Sequence, residues 1–219
     1  MAILNILDKK NTVMNTFIAQ MRDSVMQCDS MRFRRNLERV GEIMAYEISK
    51  TLTYESRIVE TPLGEAEVML PTEEIVIGTI LRAGLPFHQG FLNYFDSAGS
   101  AFVSAYRKYS KDGTFKVKVE YISCCDLTNK TLILVDPMLA TGTSLILTYN
   151  ALLEYGGVPA HTHFVSVIAS EEGIEYSKKH LPQKGITIWC GTVDAEMTVK
   201  SYIVPGIGDA GDLAYGQKL

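Results

Sequence analysis

Leu132-Ile133-Leu134-Val135-Asp136-Pro137-Met138-Leu139-Ala140-Thr141-Gly142-Thr143-Ser144 is the stretch on which the fold turns. Four apolar residues in a row read as a buried strand, which ends at Asp136. A short loop follows, and Thr141-Gly142-Thr143-Ser144 opens a helix over 143–154, with Leu145, Leu147, Leu152 and Leu153 among its apolar positions. The first N–H groups of a helix have no partner within it and lie at the favourable end of its dipole, so they suit an anion. Gly142 lets the backbone come close, and the hydroxyls of Thr141, Thr143 and Ser144 add donors. Four or five such charge-assisted bonds, at about 1.5–3 kcal/mol each, would hold a phosphomonoester. A Walker loop is excluded because its lysine is absent. Asp136 sits where its two acceptor oxygens suit paired sugar hydroxyls, and Pro137 keeps it extended. On spacing alone, the same residues would also serve to end a strand and cap a helix.

Outward from this stretch, strands alternate with helices. Expected strands are 75–81, 101–106, 164–169 and 186–190; expected helices are 86–96, opened by Pro86, and 171–179. Two more helices are expected over 12–27 and 30–50, the second with Ser30 as its N-cap and Phe33, Leu37, Val40, Met44 and Ile48 on one face. Residues 54–70 read as two extended pieces about a Pro62–Gly64 turn. This order predicts an α/β fold with a largely parallel twisted sheet flanked by helices, which binds ligands beyond the carboxyl ends of its strands. Between 107 and 128 the alternation Phe115-Lys116-Val117-Lys118-Val119-Glu120-Tyr121, with a Lys111-Asp112-Gly113 turn, marks a β-hairpin. Such an arm would pack on a partner subunit or stand in solvent with ordinary surface lysines.

The chain has 219 residues, 47% hydrophobic and 21% charged, with a formal charge of −4. One globular domain is the default for that length. The acidic balance argues against nucleic acid as the main partner. No run approaches the ~20 apolar residues of a membrane span, and the N-terminus lacks a basic leader and cleavage site. Cys28, Cys124, Cys125 and Cys190 form no metal-ligand spacing and are expected to be buried, reduced thiols. The expected location is cytoplasmic. Two further pieces stand out. Ile80-Leu81-Arg82-Ala83-Gly84-Leu85 places a cation beside a permissive backbone at a strand end, which a surface turn would also explain. Tyr202-Ile203-Val204-Pro205-Gly206-Ile207-Gly208-Asp209-Ala210-Gly211-Asp212 is too rich in glycine for a regular element, so a loop is expected.

Asp136 to Ser144 resembles the 5-phosphoribosyl 1-pyrophosphate (PRPP) signature of the type I phosphoribosyltransferases, in the form used by uracil phosphoribosyltransferases. Ile80–Leu85 and Tyr202–Asp212 are similar to two other elements of that family, and the likeness extends over nearly the whole chain. The resemblance implies one phosphoribosyltransferase domain over 1–219, with N-terminal helices (12–50), a β-arm (about 107–128) and a base-binding segment or hood (about 190–219). It implies that Asp136, Pro137, Met138, Leu139, Ala140, Thr141, Gly142, Thr143 and Ser144 bind PRPP, with Asp136 on the ribose. Arg82, Ala83 and Gly84, in a turn that often holds a non-proline cis peptide, and Arg107 at the base of the arm would bind the pyrophosphate. Main-chain groups around Ile203, Gly208, Asp209 and Ala210 would read uracil, with Asp209 facing PRPP; Asp136, Arg107 and Asp209 are the implied catalytic residues. A fixed backbone N–H and C=O cannot reverse to suit cytosine, and such sites can discriminate by about 10⁴-fold or more. The implied activity is a pentosyltransferase, uracil plus PRPP giving UMP and diphosphate. Mg²⁺ would ride on the substrate with no direct protein ligand, and the chain would form a homodimer or higher oligomer.

The chain also departs from the family pattern. Thr143 stands where a second Gly is usual, and would be strained were φ positive there. Leu85-Pro86-Phe87, Glu196-Met197-Thr198 and Leu213-Ala214-Tyr215 differ as well, which implies a divergent branch. Two other activities fit the same phosphate loop: a PRPP- or UMP-sensing regulator that binds RNA, and a transferase for another base.

Overall fold

The computed structural model describes residues 2–109 and 115–218, with the side chains of all of these except 105–109 and 115–119. In chain order the elements are β1 (Ile3–Ile6), α1 (Met14–Arg22), α2 (Ser30–Ser49), β2 (Tyr54–Thr61), β3 (Gly64–Pro71), β4 (Ile75–Leu81), α3 (Gly84–Leu92), β5 (Gly99–Tyr109) and β6 (Phe115–Ser123). They continue with β7 (Thr131–Val135), β8 (Met138–Leu139), α4 (Thr143–Gly156), β9 (His161–Ser170), α5 (Glu171–His180), β10 (Ile186–Asp194), β11 (Glu196–Met197), β12 (Ile203–Val204) and α6 (Ala210–Tyr215). The main sheet runs β1-β10-β9-β7-β4-β5-β6, with β8 beside β9. Every neighbour in it pairs parallel except β5 with β6.

Period-2 alternation along the strands sorts the core into two layers. Ile77, Ile133, Val135, Val165, Val167 and Trp189 face α1, α2 and α3, where they meet Met21, Phe33, Leu37, Phe87 and Phe91. Val76, Leu132, Leu134, Phe164 and Ile188 face α4 and α5, where they meet Leu145, Tyr149, Leu152 and Ile174. With helices on both faces the strands are buried on both sides, and every residue of β7 is buried. The chain therefore leaves β4 toward one face, into α3, and leaves β7 toward the other, into α4. Strand order also reverses between these two neighbours. A crevice opens where that happens, at the carboxyl ends of the strands.

Several expectations change in detail. The first helix stops at Arg22, and a separate 3-10 turn covers Met26–Cys28. Asp29, not Ser30, caps α2: its carboxylate accepts from the Arg32 N–H at 3.1 Å. Pro86 is the third residue of α3, which starts at Gly84. Leu147 is an exposed position of α4. The N-terminal apolar run is a strand, adding β1 to the sheet along β10. Of the cysteines only Cys190 is fully buried; Cys28 and Cys125 are exposed and Cys124 is intermediate. Burial pushes the Cys124 thiol up to about 11 and the Cys190 thiol up to about 12, so both stay protonated. The Lys111-Asp112-Gly113 turn lies outside the described residues; the strands on either side of it pair as expected.

Candidate active site

A cleft of about 560 Å³ lies at the β4–β7 crevice. Arg82 and Ala83 line it from the end of β4, Asp136 from the end of β7, and Met138 to Gly142 with Ser144 from the loop into α4. Ile203, Asp209 and Gly211 line it from the C-terminal segment. Three stretches far apart in sequence thus share one cavity. The Leu81–Arg82 peptide is cis, as is Val204–Pro205.

The phosphate loop turns on Gly142. It precedes α4 with φ +77°, the left-handed region that glycine enters freely. A Cβ there would also stand 2.9 Å from Ser177 Oγ and 3.0 Å from the Gly173 carbonyl oxygen. Thr143 is the first residue of α4 and is not among the residues with positive φ, so its β-branch brings no strain. The position that needs glycine is the one before it. Thr141 Oγ1 lies 3.3 Å from Thr143 Oγ1 and accepts loosely from the Thr143 N–H at 3.4 Å. Ser170 braces the loop from behind: its hydroxyl donates to the Ala140 carbonyl at 2.6 Å and accepts from the Gly173 N–H at 2.8 Å. A side chain at Gly173 would collide with that same carbonyl.

Asp136 is half-buried at the end of β7. Burial pushes its carboxyl up to about 7, and the Met138 N–H, donating at 3.4 Å, only partly pulls it back. Across the cleft the C-terminal segment is not all loop. Ala210–Tyr215 forms α6, and Asp209 is its N-cap, accepting from the Asp212 N–H at 3.0 Å. Asp212 in turn accepts from Arg82 Nη2 at 3.0 Å, so the β4 turn and α6 are tied directly. Arg34 reaches from α2 to the Ala214 carbonyl at 2.6 Å and fixes the far end of the helix.

The family model described as uracil phosphoribosyltransferase matches residues 9–217. The chain belongs to the uracil phosphoribosyltransferase family. It is 54% identical over 213 residues to the uracil phosphoribosyltransferase of Porphyromonas gingivalis, covering 97% of this chain and 98% of that one. The uracil phosphoribosyltransferase of Pyrococcus furiosus is 38% identical over 203 residues, covering 91% and 84%. A solved structure, the AQ2163 protein of Aquifex aeolicus, superposes with a TM-score of 0.85 at 29% identity, over 99% of this chain and 100% of that one.

Most residues that the likeness to uracil phosphoribosyltransferases singled out line the cleft, but not all. Gly84, Pro137, Thr143, Gly208 and Ala210 are not in its lining, and Ala210 is buried beneath it. Arg107 is on β5, and its side chain lies outside the described residues. The sequence reading missed Ser201, Tyr202, Gly211 and Lys218, which do line the cleft. Tyr202 and Gly211 stood within the quoted motif without being assigned a role; Ser201 and Lys218 carry no local signal. No group of three or more His, Cys, Asp or Glu gathers among the described residues. Asp136 and Asp209 are the carboxylates in the lining. None of the helices described is long and apolar enough to cross a membrane.

Proposed function

We propose that this chain is a uracil phosphoribosyltransferase that transfers the 5-phosphoribosyl group of PRPP to uracil, releasing diphosphate and leaving UMP. The carrying observation is that the phosphate loop, the Arg82 turn and the C-terminal segment face one another across a single cleft. A sugar held at Asp136 then has an anion-binding helix end on one side and a base-sized edge on the other.

In the reaction the bond between C1 of the ribose and the diphosphate oxygen breaks, N1 of uracil bonds to C1 from the opposite face, and the N1 proton is released. The protein contributes positioning and electrostatics. The amides at the start of α4, with Thr141, Thr143 and Ser144, hold the 5′-phosphate; Pro137, Met138, Leu139, Ala140 and Gly142 shape that cradle. Asp136 accepts from the ribose hydroxyls and offsets the positive charge that develops on the sugar. Arg82 and Arg107 hold the leaving diphosphate, and the Ala83–Gly84 backbone approaches it. Buried Arg82 Nε, which has no hydrogen-bond partner among the described residues, supports that role. Backbone groups at Ile203 and from Gly208 through Asp209 to Ala210 read the base.

Mg²⁺ on the substrate neutralises diphosphate charge when bound. Asp136 and Asp209, the two carboxylates of the cleft lining, would accept from water bound to it. A cytoplasmic homodimer or higher homo-oligomer completes the reading.

The test is diphosphate release with PRPP, Mg²⁺ and, in turn, uracil, cytosine, hypoxanthine and guanine. Release with uracil alone is expected. Release only with a purine base would change the substrate. Release with none, together with retention of pyrimidine-operon RNA on a filter, would make the chain a regulator.

A further inference from the structure

Arg22 and Asp194 are 172 residues apart in sequence and meet beneath the base-binding segment. Arg22 Nη1 donates to Asp194 Oδ2 and Nη2 to Oδ1, both at 2.8 Å, a parallel two-bond fork. Two contacts then run from this pair to a single residue. The Gly206 N–H donates to Asp194 Oδ2 at 2.9 Å, and the Gly206 carbonyl accepts from Arg22 Nη1 at 3.2 Å. Both backbone groups of one loop residue are thus held by the two ends of one ion pair.

Each partner comes from a rigid element. Arg22 ends α1, whose Met14, Ile18 and Met21 are all buried in the core. Asp194 ends β10 and pairs in register with Ser170 of β9. Ser170 is the residue that braces the phosphate loop through Ala140. Gly206, with φ +61°, folds back on Ile203 so closely that a Cβ would collide with the Ile203 carbonyl. Ile203 lines the cleft. The chain of contacts therefore runs from core to clamp, from clamp to Gly206, and from Gly206 to the backbone edge that faces the base.

We propose that the Arg22–Asp194 pair is a positioning device that sets the Ile203–Gly206 backbone at the spacing uracil requires, and so acts on base affinity and base choice. This rests on the reading of that segment as the base site. Asp194 is buried at 7% exposure and Arg22 at 25%, so solvent screens the pair weakly. Burial by itself would raise the Asp194 carboxyl, but the hydrogen bonds from Arg22 and Gly206 and the charge of Arg22 outweigh it and hold the carboxyl below its ordinary value. The Asp194 carboxyl stays ionised at neutral pH. A backbone edge that can shift no longer penalises the wrong base.

The experiment is initial-rate kinetics on the full chain, with uracil and PRPP varied separately, for Arg22→Lys, Arg22→Ala, Asp194→Asn, Asp194→Ala and the double alanine variant. Loss of positioning raises KM for uracil by roughly tenfold or more in the alanine variants, and by less in Arg22→Lys and Asp194→Asn, which each keep part of the clamp. KM for PRPP stays within about twofold, because the phosphate loop keeps its own brace at Ser170. The double variant is no worse than the poorer single one, since both remove one unit. The ratio of uracil to cytosine turnover falls in the same order. Equal rises in both KM values, or wild-type kinetics in the conservative pair, would overturn the proposal. A wild-type enzyme that transfers nothing to uracil overturns the base reading as well, and that result needs no variant.

Discussion

Asp136 has two demands on it that pull in opposite directions. Its surroundings favour the neutral acid, with the carboxyl pushed up to about 7 by burial. The ribose hydroxyls proposed to bind there would favour the anion, to which they donate. PRPP binding should therefore tighten as pH rises through about 7, and kcat/KM for PRPP measured from pH 5.5 to 8.5 should show that inflection. Asp136→Asn should flatten it. Stability runs the other way: a raised folded value means that this group's contribution is complete below its unfolded value and is lost as pH rises through about 7. Asp209 separates structure from chemistry. Asn caps a helix nearly as well as Asp, so Asp209→Asn should keep its melting temperature while turnover drops by at least about tenfold; wild-type turnover would remove Asp209 from the mechanism. At this scale the sequence was readable wherever function lies in one short motif. It was silent on Arg22 and Asp194, whose partners are distant in the chain, and it left open whether Thr143 is strained, which is decided by the positive φ falling on Gly142 and not on Thr143.

Elements were legible from periodicity, and their edges were not. The α2 stripe of Phe33, Leu37, Val40, Met44 and Ile48 is fully buried as expected. β9 and β10 run several residues beyond their apolar centres because ladder bonds to neighbours continue where side-chain hydrophobicity stops. β1 was hidden because four residues pair only with a strand more than 180 positions away. No periodicity marks helix crossings either. Where α2 and α3 cross, a Cβ on Gly90 would strike the Glu38 carbonyl and stand 2.9 Å from the Glu42 nitrogen. Both obstacles are backbone, so the helices would have to part, and Phe87 and Phe91 would lose their fit. Gly90→Ala should cost roughly 1–3 kcal/mol or more, as overpacking does. Urea unfolding would show this as a lower midpoint with an unchanged slope.

The molecule as a whole joins two halves of a cleft that the topology forces open. Parallel order could be inferred from alternating elements; the reversal between β4 and β7 and the tie across them could not, since alternation leaves strand order open and neither Arg82 nor Asp212 has a sequence signal for the other. Their 3.0 Å contact is a prediction in itself. With Arg82 holding the diphosphate as proposed, PRPP would compete for the same guanidinium, and the Asp212 carboxylate would also repel the incoming polyanion. Both effects oppose binding, so Asp212→Asn should tighten PRPP. Each side chain is 34% exposed, which places the pair among partly screened ones. Such pairs contribute about 0.2–1 kcal/mol, or a gain of roughly 1.4- to fivefold in affinity. Titration calorimetry with PRPP and Mg²⁺ on both proteins measures it. Weaker binding in the variant would mean that Asp212 instead aims Arg82 at the substrate, because losing an aiming group costs affinity while losing a competitor adds it.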